Sequence, residues 1–251
     1  MLRKKLINTL TVIAAILFVA FYALRVVLKQ PQEHEDPWEK DENDTFVQNA
    51  SALPYNGIDI SERQGYVDWQ SVSMDHLVDF VYLKATEGLT HVDSRYMANV
   101  KSAYNFGFLI GSYHRFHSKE STEGQFFNFN KHVDHAAQHL IPMVELDEKS
   151  ISGWTHQQVQ DSLALFAWLV NDFYGSLPII RTTLEFYDTY LYPRFEDFPL
   201  FIMDENEKQP KVRSRHFYMW RHDNPGFIPG VINDVHMDSF TSGTALHDIY
   251  L

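Results

Sequence analysis

Residues Ile141-Pro142-Met143-Val144-Glu145-Leu146-Asp147 form a short apolar run that ends in two acids, one residue apart. Such a run predicts a buried strand. Side chains two positions apart point to the same face of a strand, so we expect Glu145 and Asp147 to project together from its C-terminal end. Neighbouring carboxylates repel, so one tends to keep a proton while the other stays ionised, and such a pair can cleave a glycosidic bond. Taken alone, the pattern more often marks two surface acids where a strand meets a loop.

Strand-like and helix-like stretches alternate along the chain from Tyr55 onward. Among the helices, Ser121 is expected to cap one, and Thr155 is expected to cap a long amphipathic helix that Gly175 ends. This alternation is typical of a parallel sheet, and eight strand candidates predict an α/β barrel whose last third is short of helices. The candidates are Gly57–Ser61, Phe80–Thr86, Leu109–Phe116, Ile141–Asp147, Leu177–Thr182, Pro199–Met203, Phe217–His222 and Asp234–Phe240.

Polar and aromatic residues stand at nearly every predicted strand end. In barrels of this class the chemistry lies at the C-terminal ends of the strands. Carboxylates there can bind sugar hydroxyls, and Tyr or Trp rings can stack on the apolar face of a pyranose. We therefore expect a sugar-binding cleft formed by Asp59, Lys84, Glu87, Tyr113, His114, Glu145, Asp147, Arg181, Asp204, Trp220, His236 and Asp238.

The N-terminal part of the chain differs in composition from the rest. Basic residues 3–5 precede an apolar run, residues 6–28, that is long enough to span a bilayer. We expect residues 1–29 to form an uncleaved signal anchor rather than a removed signal peptide. The N-terminus would then lie in the cytoplasm and the remainder in the periplasm or at the cell surface. Residues 30–53 are acidic and predict a linker, which leads to a folded domain over residues 54–251.

Charge and cysteine content exclude several classes of function. Five of the 21 basic residues lie in the first 29 positions, which leaves 16 basic against 33 acidic side chains in the remainder. So acidic a domain is a poor nucleic-acid binder. The absence of cysteine excludes disulfides, a thiol nucleophile and thiolate metal sites. His132, His135 and His139 could share a helix face, but a solvated face is favoured over zinc binding. The sequence therefore predicts neither a metal site nor a cofactor.

Four short motifs follow one another in the first half of the domain. They are Gly57-Ile58-Asp59-Ile60-Ser61, Gly65-Tyr66-Val67-Asp68-Trp69, Lys84-Ala85-Thr86-Glu87-Gly88 and Gly111-Ser112-Tyr113-His114. In order and spacing, the chain from about Asn56 to Phe240 resembles glycoside hydrolase family 25, the lysozyme-type N-acetylmuramidases. The resemblance implies an irregular (β/α)5(β)3 barrel. It also implies hydrolysis of the β-1,4 bond between N-acetylmuramic acid and N-acetylglucosamine, with peptidoglycan glycan strands as the partner.

The resemblance also implies roles for individual residues. Asp59 matches the family's acid at the end of the first strand, and Glu145 and Asp147 fall on its D-x-E motif at the end of the fourth. In that motif the Glu is the general acid, and the Asp supports the pair or the reacting N-acetyl group. The resemblance places Glu87, Tyr113, His114 and Trp220 in the sugar groove. From their strand-end positions we expect Arg181, Asp204, His236 and Asp238 there as well.

The chain departs from the family pattern at the catalytic positions. The acidic pair is reversed to E-x-D, so the general-acid position holds Asp147, which is one methylene shorter than Glu. Misplacement of about 1 Å can cost on the order of 100-fold in rate. Arg181 stands where the family commonly has Tyr, and a nearby guanidinium lowers a carboxyl pKa, the wrong direction for a general acid. Arg221 and His236 likewise replace the family's Gln and Asp.

Two accounts of the departures fit the sequence. In the first, the reversed pair still cleaves glycan, and we favour this account because positions 59, 145 and 147 all keep a carboxylate. In the second, the domain is catalytically impaired and only binds peptidoglycan. A third, weaker hypothesis is hydrolysis of another amino-sugar polymer.

Overall fold

A single sheet of nine strands is present in the described part of the chain, and eight of the strands close into a barrel. The computed structural model describes residues 56–203, 208–221 and 226–251. The strands are β1 (Gly57–Ile60), β2 (Phe80–Glu87), β3 (His91–Val92), β4 (Leu109–Arg115), β5 (Met143–Glu145), β6 (Ile179–Thr182), β7 (Leu200–Met203), β8 (Phe217–Arg221) and β9 (His236–Phe240).

The barrel strands follow the order β1, β2, β4, β5, β6, β7, β8 and β9, and β9 pairs with β1. Neighbours from β1 to β8 are parallel, whereas β9 is antiparallel to both β8 and β1. The short β3 lies outside the barrel, antiparallel to the end of β2, and the sequence did not predict it. The predicted irregular α/β barrel is therefore confirmed.

A helical segment follows each of the first five barrel strands, and none follows β7 or β8 among the described residues. This distribution agrees with the shortage of helical patterns in the last third of the sequence. The segments are α1 (Trp69–Val72), α2 (Tyr96–Asn105), α3 (Thr122–His132), α4 (His156–Tyr174) and α5 (Leu184–Phe186), which continues into a π-helical turn (Tyr187–Leu191). Two 3-10 turns, Glu62–Gln64 and Leu246–Ile249, flank the set.

The predicted helix ends are confirmed at three positions. Ser121 Oγ accepts a hydrogen bond from Gly124 N at 3.1 Å, and Thr155 Oγ1 accepts one from Gln158 N at 3.3 Å. Each side chain satisfies an amide that has no partner within its helix. Gly175 ends α4 with φ of 76°, a left-handed conformation that costs glycine little.

Large apolar side chains fill the interior of the barrel below the strand ends. Phe80, Tyr82, Met143, Phe201 and Met219 come from different sides of the barrel, are fully buried and meet in one cluster. The next inward position along each of several strands carries a charge, because side chains two residues apart share a face. Charged groups therefore stand on an apolar base at the C-terminal end of the barrel.

The end of one predicted strand needs correction, and two predicted segments lie outside the described residues. Strand β5 covers only Met143–Glu145, so Asp147 lies in the turn that follows, where Ser150 N donates to its Oδ1 at 2.8 Å. The predicted anchor (1–29) and linker (30–53) lie outside the described residues. Within the described ranges, the helices are all too short or too polar to cross a membrane.

Candidate active site

Ionisable side chains at the C-terminal end of the barrel form an alternating chain of acids and arginines. This chain of ion pairs runs from the partly exposed Asp147 at its outer end to the fully buried Asp238 at its inner end. Four acids and three arginines take part, and each arginine lies between two acids. In order, they are Asp147, Arg115, Glu145, Arg181, Asp59, Arg221 and Asp238.

The two acids of the reversed pair share one guanidinium. Arg115 Nη1 donates to Glu145 Oε1 and Nη2 to Asp147 Oδ2, both at 2.8 Å. Glu145 is the inner acid, with 7% of its side chain exposed, and its Oε2 lies 3.0 Å from Arg181 Nη2. Asp147 is the outer acid, with 19% exposed. The structure brings the two acids to one place, with the Arg115 cation between them.

Two arginines also hold Asp59, the acid at the end of β1. Arg181 Nη2 donates to Asp59 Oδ2 at 3.2 Å, and Arg221 Nη2 donates to Oδ1. Burial alone would raise the pKa of Asp59, but the charges of Arg181 and Arg221 outweigh it and lower the pKa to about 2. Asp59 is therefore a carboxylate at neutral pH, suited to stabilising positive charge rather than to donating a proton.

Asp238 is the acid in the chain that keeps its proton. Its side chain is 0% exposed, and Oδ1 lies 3.7 Å from Arg221 Nε. Burial and the neighbouring charge of Asp59 raise the pKa of Asp238 to about 8, against the weaker opposing effect of Arg221.

Asp238→Asn is expected to remove one component of the pH dependence of stability. A carboxyl whose pKa is higher in the folded state lowers the free energy of unfolding as pH rises from its unfolded pKa of about 4 to its folded value, about 8. Urea unfolding of the wild type and the variant at several pH values across that window measures the difference. His114 and His236 titrate in both proteins, so their contributions cancel. A constant difference at all pH values would contradict the raised pKa.

A second cluster of ionisable side chains, Glu87, His117 and Lys84, lies beside the chain of ion pairs at the end of β2. Glu87 Oε1 lies 2.8 Å from His117 Nε2, and its Oε2 contacts Lys84 Nζ. Burial opposes ionisation, but Lys84, His117 and Arg115 together lower the pKa of Glu87. Glu87 and His117 keep 26% and 39% of their side chains exposed, so both can contact a ligand in the groove.

Several predicted groove residues are buried beneath it instead. Arg181 is 3% exposed and lies under the acids, with its guanidinium carbon 4.5 Å from the centre of the Tyr113 ring. Tyr113 itself is 4% exposed, and burial raises its pKa far above the ordinary range. Asp238 also lacks access to the groove. These three residues support the floor of the site, and the prediction that they line it was wrong.

His114 and Trp220 face away from the site. Each is the strand neighbour of an inward-facing residue, so its own side chain points to the other face. His114 is fully buried, bonded to Thr86 Oγ1 at 2.8 Å and stacked on Phe166 of α4. Burial lowers the pKa of His114 to about 3, so it is neutral. Neither residue can stack on or bind a sugar in the groove, contrary to prediction.

Of the two remaining predicted site residues, His236 lies at the edge of the site and Asp204 is not among the described residues. His236, at the start of β9, is half-buried, and its register partner is Asp59. Burial, followed by the charge of Arg221, lowers its pKa to about 4, so it is a neutral imidazole at the edge of the site. Asp204 lies outside the described residues.

The sequence reasoning did not assign functional roles to Arg115 or Arg221, which contact the acids directly. One signal was available, because Arg115 and Arg221 stand two positions after Tyr113 and Met219, on the inward face of their strands.

As for metals, the described residues contain no group of three or more His, Asp or Glu side chains placed to hold an ion.

The fold agrees with the comparison to known families. Residues 58–231 match the glycosyl hydrolases family 25, which is more than half of the chain. The protein therefore belongs to this family of lysozyme-like glycosidases.

Among curated relatives, the autolytic lysozyme of Clostridium acetobutylicum is 30% identical over 190 residues, a match that covers 74% of this chain and 56% of that protein. The chain thus spans about half the length of this relative.

Solved structures show the same fold. The bacterial lysozyme from Streptomyces coelicolor superposes with a TM-score of 0.70 at 24% identity, covering 78% of this chain and 95% of that one. A family 25 glycosyl hydrolase from Bacillus anthracis gives a TM-score of 0.66 at 24% identity, covering 75% and 90%.

Proposed function

We propose that this protein hydrolyses the β-1,4 bond between N-acetylmuramic acid and N-acetylglucosamine in peptidoglycan. The observation that carries the proposal is the placement of Asp59, Glu145 and Asp147 together at the ends of β1 and β5, joined through Arg181 and Arg115. Membership of a lysozyme-like family supports the same substrate.

The positions of the acids divide the chemical roles. Asp147 stands at the outer end of the chain of ion pairs and is the more exposed acid of the pair, so it is the better placed to reach a glycosidic oxygen. Glu145 and Asp59 lie deeper, each between two guanidiniums, which favours their anionic form. We assign Asp147 as the general acid. Glu145 and Asp59 then stabilise positive charge that develops at the sugar or at the substrate's own N-acetyl group.

The proposed reaction consumes one water. The Asp147 carboxyl gives its proton to the glycosidic oxygen as the bond from that oxygen to the anomeric carbon breaks, and the electron pair stays on the oxygen. A water then adds to the anomeric carbon and returns a proton to the Asp147 carboxylate. The products are two shorter glycans, one with a new reducing end.

A second candidate function is peptidoglycan binding without cleavage. One observation favours it: Arg115, Arg181 and Arg221 contact every acid that the reaction would use. An ion pair stabilises a carboxylate relative to the carboxylic acid, whereas a general acid must carry a proton. Substrate binding in the same groove needs no protonated acid.

One experiment separates the two candidates. The purified full-length protein is incubated with peptidoglycan sacculi at several pH values, and new reducing ends, the masses of released fragments and co-sedimentation are measured. Fragments that end in reducing N-acetylmuramic acid would support the muramidase. Co-sedimentation without release at any pH would support the binding domain. Release from a different amino-sugar polymer alone would support the third hypothesis.

We also propose that residues 1–29 anchor the protein in a membrane with the barrel on the extracytoplasmic side. The support is the basic start followed by an apolar run over residues 6–28. The full-length protein should stay with the membrane pellet after alkaline carbonate extraction, and protease added to intact spheroplasts should digest the barrel domain. Recovery in the soluble fraction, or protection from the protease, would overturn this proposal.

A further inference from the structure

Arg115 contacts both acids of the reversed pair. As the last residue of β4, it lies beside Glu87 of β2 and Glu145 of β5 in the strand register. Its main-chain oxygen accepts a hydrogen bond from Gly88 N at 3.0 Å, which fixes the strand end. From there the two terminal nitrogens reach Glu145 and Asp147, each at 2.8 Å. A planar guanidinium suits this double contact because its donors have a fixed fork geometry.

All four carboxylate oxygens of the pair already face a donor or a cation. Arg115 Nη1 donates a hydrogen bond to Oε1 of Glu145, and Arg181 Nη2 lies 3.0 Å from Oε2. Arg115 Nη2 donates a hydrogen bond to Oδ2 of Asp147, and Ser150 N donates one to Oδ1 at 2.8 Å. A neighbouring cation stabilises a carboxylate more than it stabilises a neutral carboxyl group. This arrangement therefore places the Arg115 cation directly against both acids of the pair.

Among the three arginines of the site, Arg115 is the most accessible from the groove. Its side chain is 29% exposed, against 3% for Arg181 and 11% for Arg221. Loss of its contact with Asp147 would leave that carboxylate with the hydrogen bond that Ser150 N donates to Oδ1. Arg115 is therefore the group whose removal would change the charge state of the outer acid most directly.

We infer that Arg115 is a positioning residue that holds the Glu145–Asp147 pair in its ionised form and so confines cleavage to acidic pH. This inference rests on the proposed hydrolase function. A general acid acts only while protonated, so the rate falls as pH rises past the pH at which that acid titrates. Because the Arg115 cation favours the ionised acid, its removal should move this fall to higher pH.

The other charged groups around the pair remain in place when Arg115 alone is changed. From β6, Arg181 faces Glu145 and links it to Asp59 of β1, which in turn contacts Arg221 of β8. The remaining titratable neighbours are Tyr113 beneath Glu145, and Glu87 with its partners His117 and Lys84 beside Arg115. Because Arg115 also lowers the pKa of Glu87, its removal acts on Glu87 as well as on the pair.

The first arm of the test measures charge state without requiring activity. Full-length protein carrying ¹³C-labelled Asp and Glu carboxyls is titrated by NMR, and Glu145→Gln and Asp147→Asn assign the two signals. Arg115→Gln should move the titration midpoint of the Asp147 carboxyl to higher pH, because it removes the neighbouring cation. Arg115→Lys, which keeps the charge, should move it less. Arg194→Gln, at an exposed ion pair with Asp161, is the matched control and should move neither signal.

The second arm measures the pH profile of reducing-end release. Arg115→Gln should shift the alkaline limb of that profile upward by about the same pH interval, roughly a tenfold gain relative to its own maximum for each unit. Unchanged titration midpoints, or equal shifts with Gln and Lys, would overturn the role of Arg115. If the wild type released no reducing ends at any pH, the proposed hydrolysis would fail, and the NMR arm would still decide whether Arg115 keeps the pair ionised.

Discussion

Asp147→Asn is expected to lower the release of reducing ends from peptidoglycan by about 10²–10⁴-fold, the usual contribution of a general acid. The amide cannot give the proton that the leaving oxygen needs. The replacement is nearly isosteric, and its oxygen can still accept one of the hydrogen bonds that Arg115 and Ser150 N now make to Asp147. The loss should therefore appear in catalysis, while co-sedimentation with sacculi and the thermal unfolding temperature stay close to the wild type.

Asp161→Asn provides the matched control for this prediction. Asp161 is also an acid ion-paired to an arginine, at 2.7 Å from Arg194, but its side chain is 56% exposed on α4. We expect full activity from this variant. If Asp147→Asn kept activity within about threefold of the wild type, while Glu145→Gln lost it, the general acid would be Glu145, and the longer side chain would have taken over the role. Activity in both variants would remove the pair from the mechanism.

Most of the barrel was predictable because its signals are local. Periodicity of two or 3.6 residues, capping side chains at Ser121 and Thr155, and the glycine at position 175 depend on neighbours within a few positions. The strand candidates therefore matched the barrel strands to within a few residues. The missed β3 has only two residues, too few for a period to be visible.

The alternation rule could have corrected two errors at the site. His114 follows Tyr113, and Trp220 precedes Arg221, yet adjacent residues of a strand point to opposite faces. Once Tyr113 and Arg221 face the barrel interior, their neighbours must face outward, as the stacking of His114 on Phe166 demonstrates. A strand-end position alone does not decide whether a side chain enters the groove.

The chain of ion pairs could not be predicted in the same way because its partners are distant in sequence. Arg115 and Glu145 are 30 residues apart, Arg181 and Asp59 are 122 apart, and Arg221 and Asp59 are 162 apart. Whether a carboxyl is held ionised or neutral depends on which charges surround it and how deeply it is buried. Asp59 and Asp238 show this, since burial acts on both in the same direction while arginines outweigh it only for Asp59.

Arg181→Met is expected to destabilise the folded protein by roughly 3 kcal/mol at neutral pH, the lower end of the range for breaking a buried ion pair. The guanidinium lies between two buried acids, 3.2 Å from Asp59 Oδ2 and 3.0 Å from Glu145 Oε2. Its loss leaves their charges partly uncompensated, although Asp59 keeps Arg221 and Glu145 keeps Arg115. For a domain of this size, the unfolding temperature should fall by about 6–12 °C.

The pH dependence of that loss separates charge from packing. The cost arises from the carboxylates of Asp59 and Glu145, so it should shrink as pH falls far enough for the variant to protonate them. Unfolding by heat or urea at about pH 7 and about pH 4 measures both losses. Arg194→Met is the matched control, because the same substitution at an exposed pair with Asp161 should cost about 1 kcal/mol or less. An equal loss at both pH values in Arg181→Met would instead mean that the arginine stabilises the barrel by filling space between Tyr113 and Phe201.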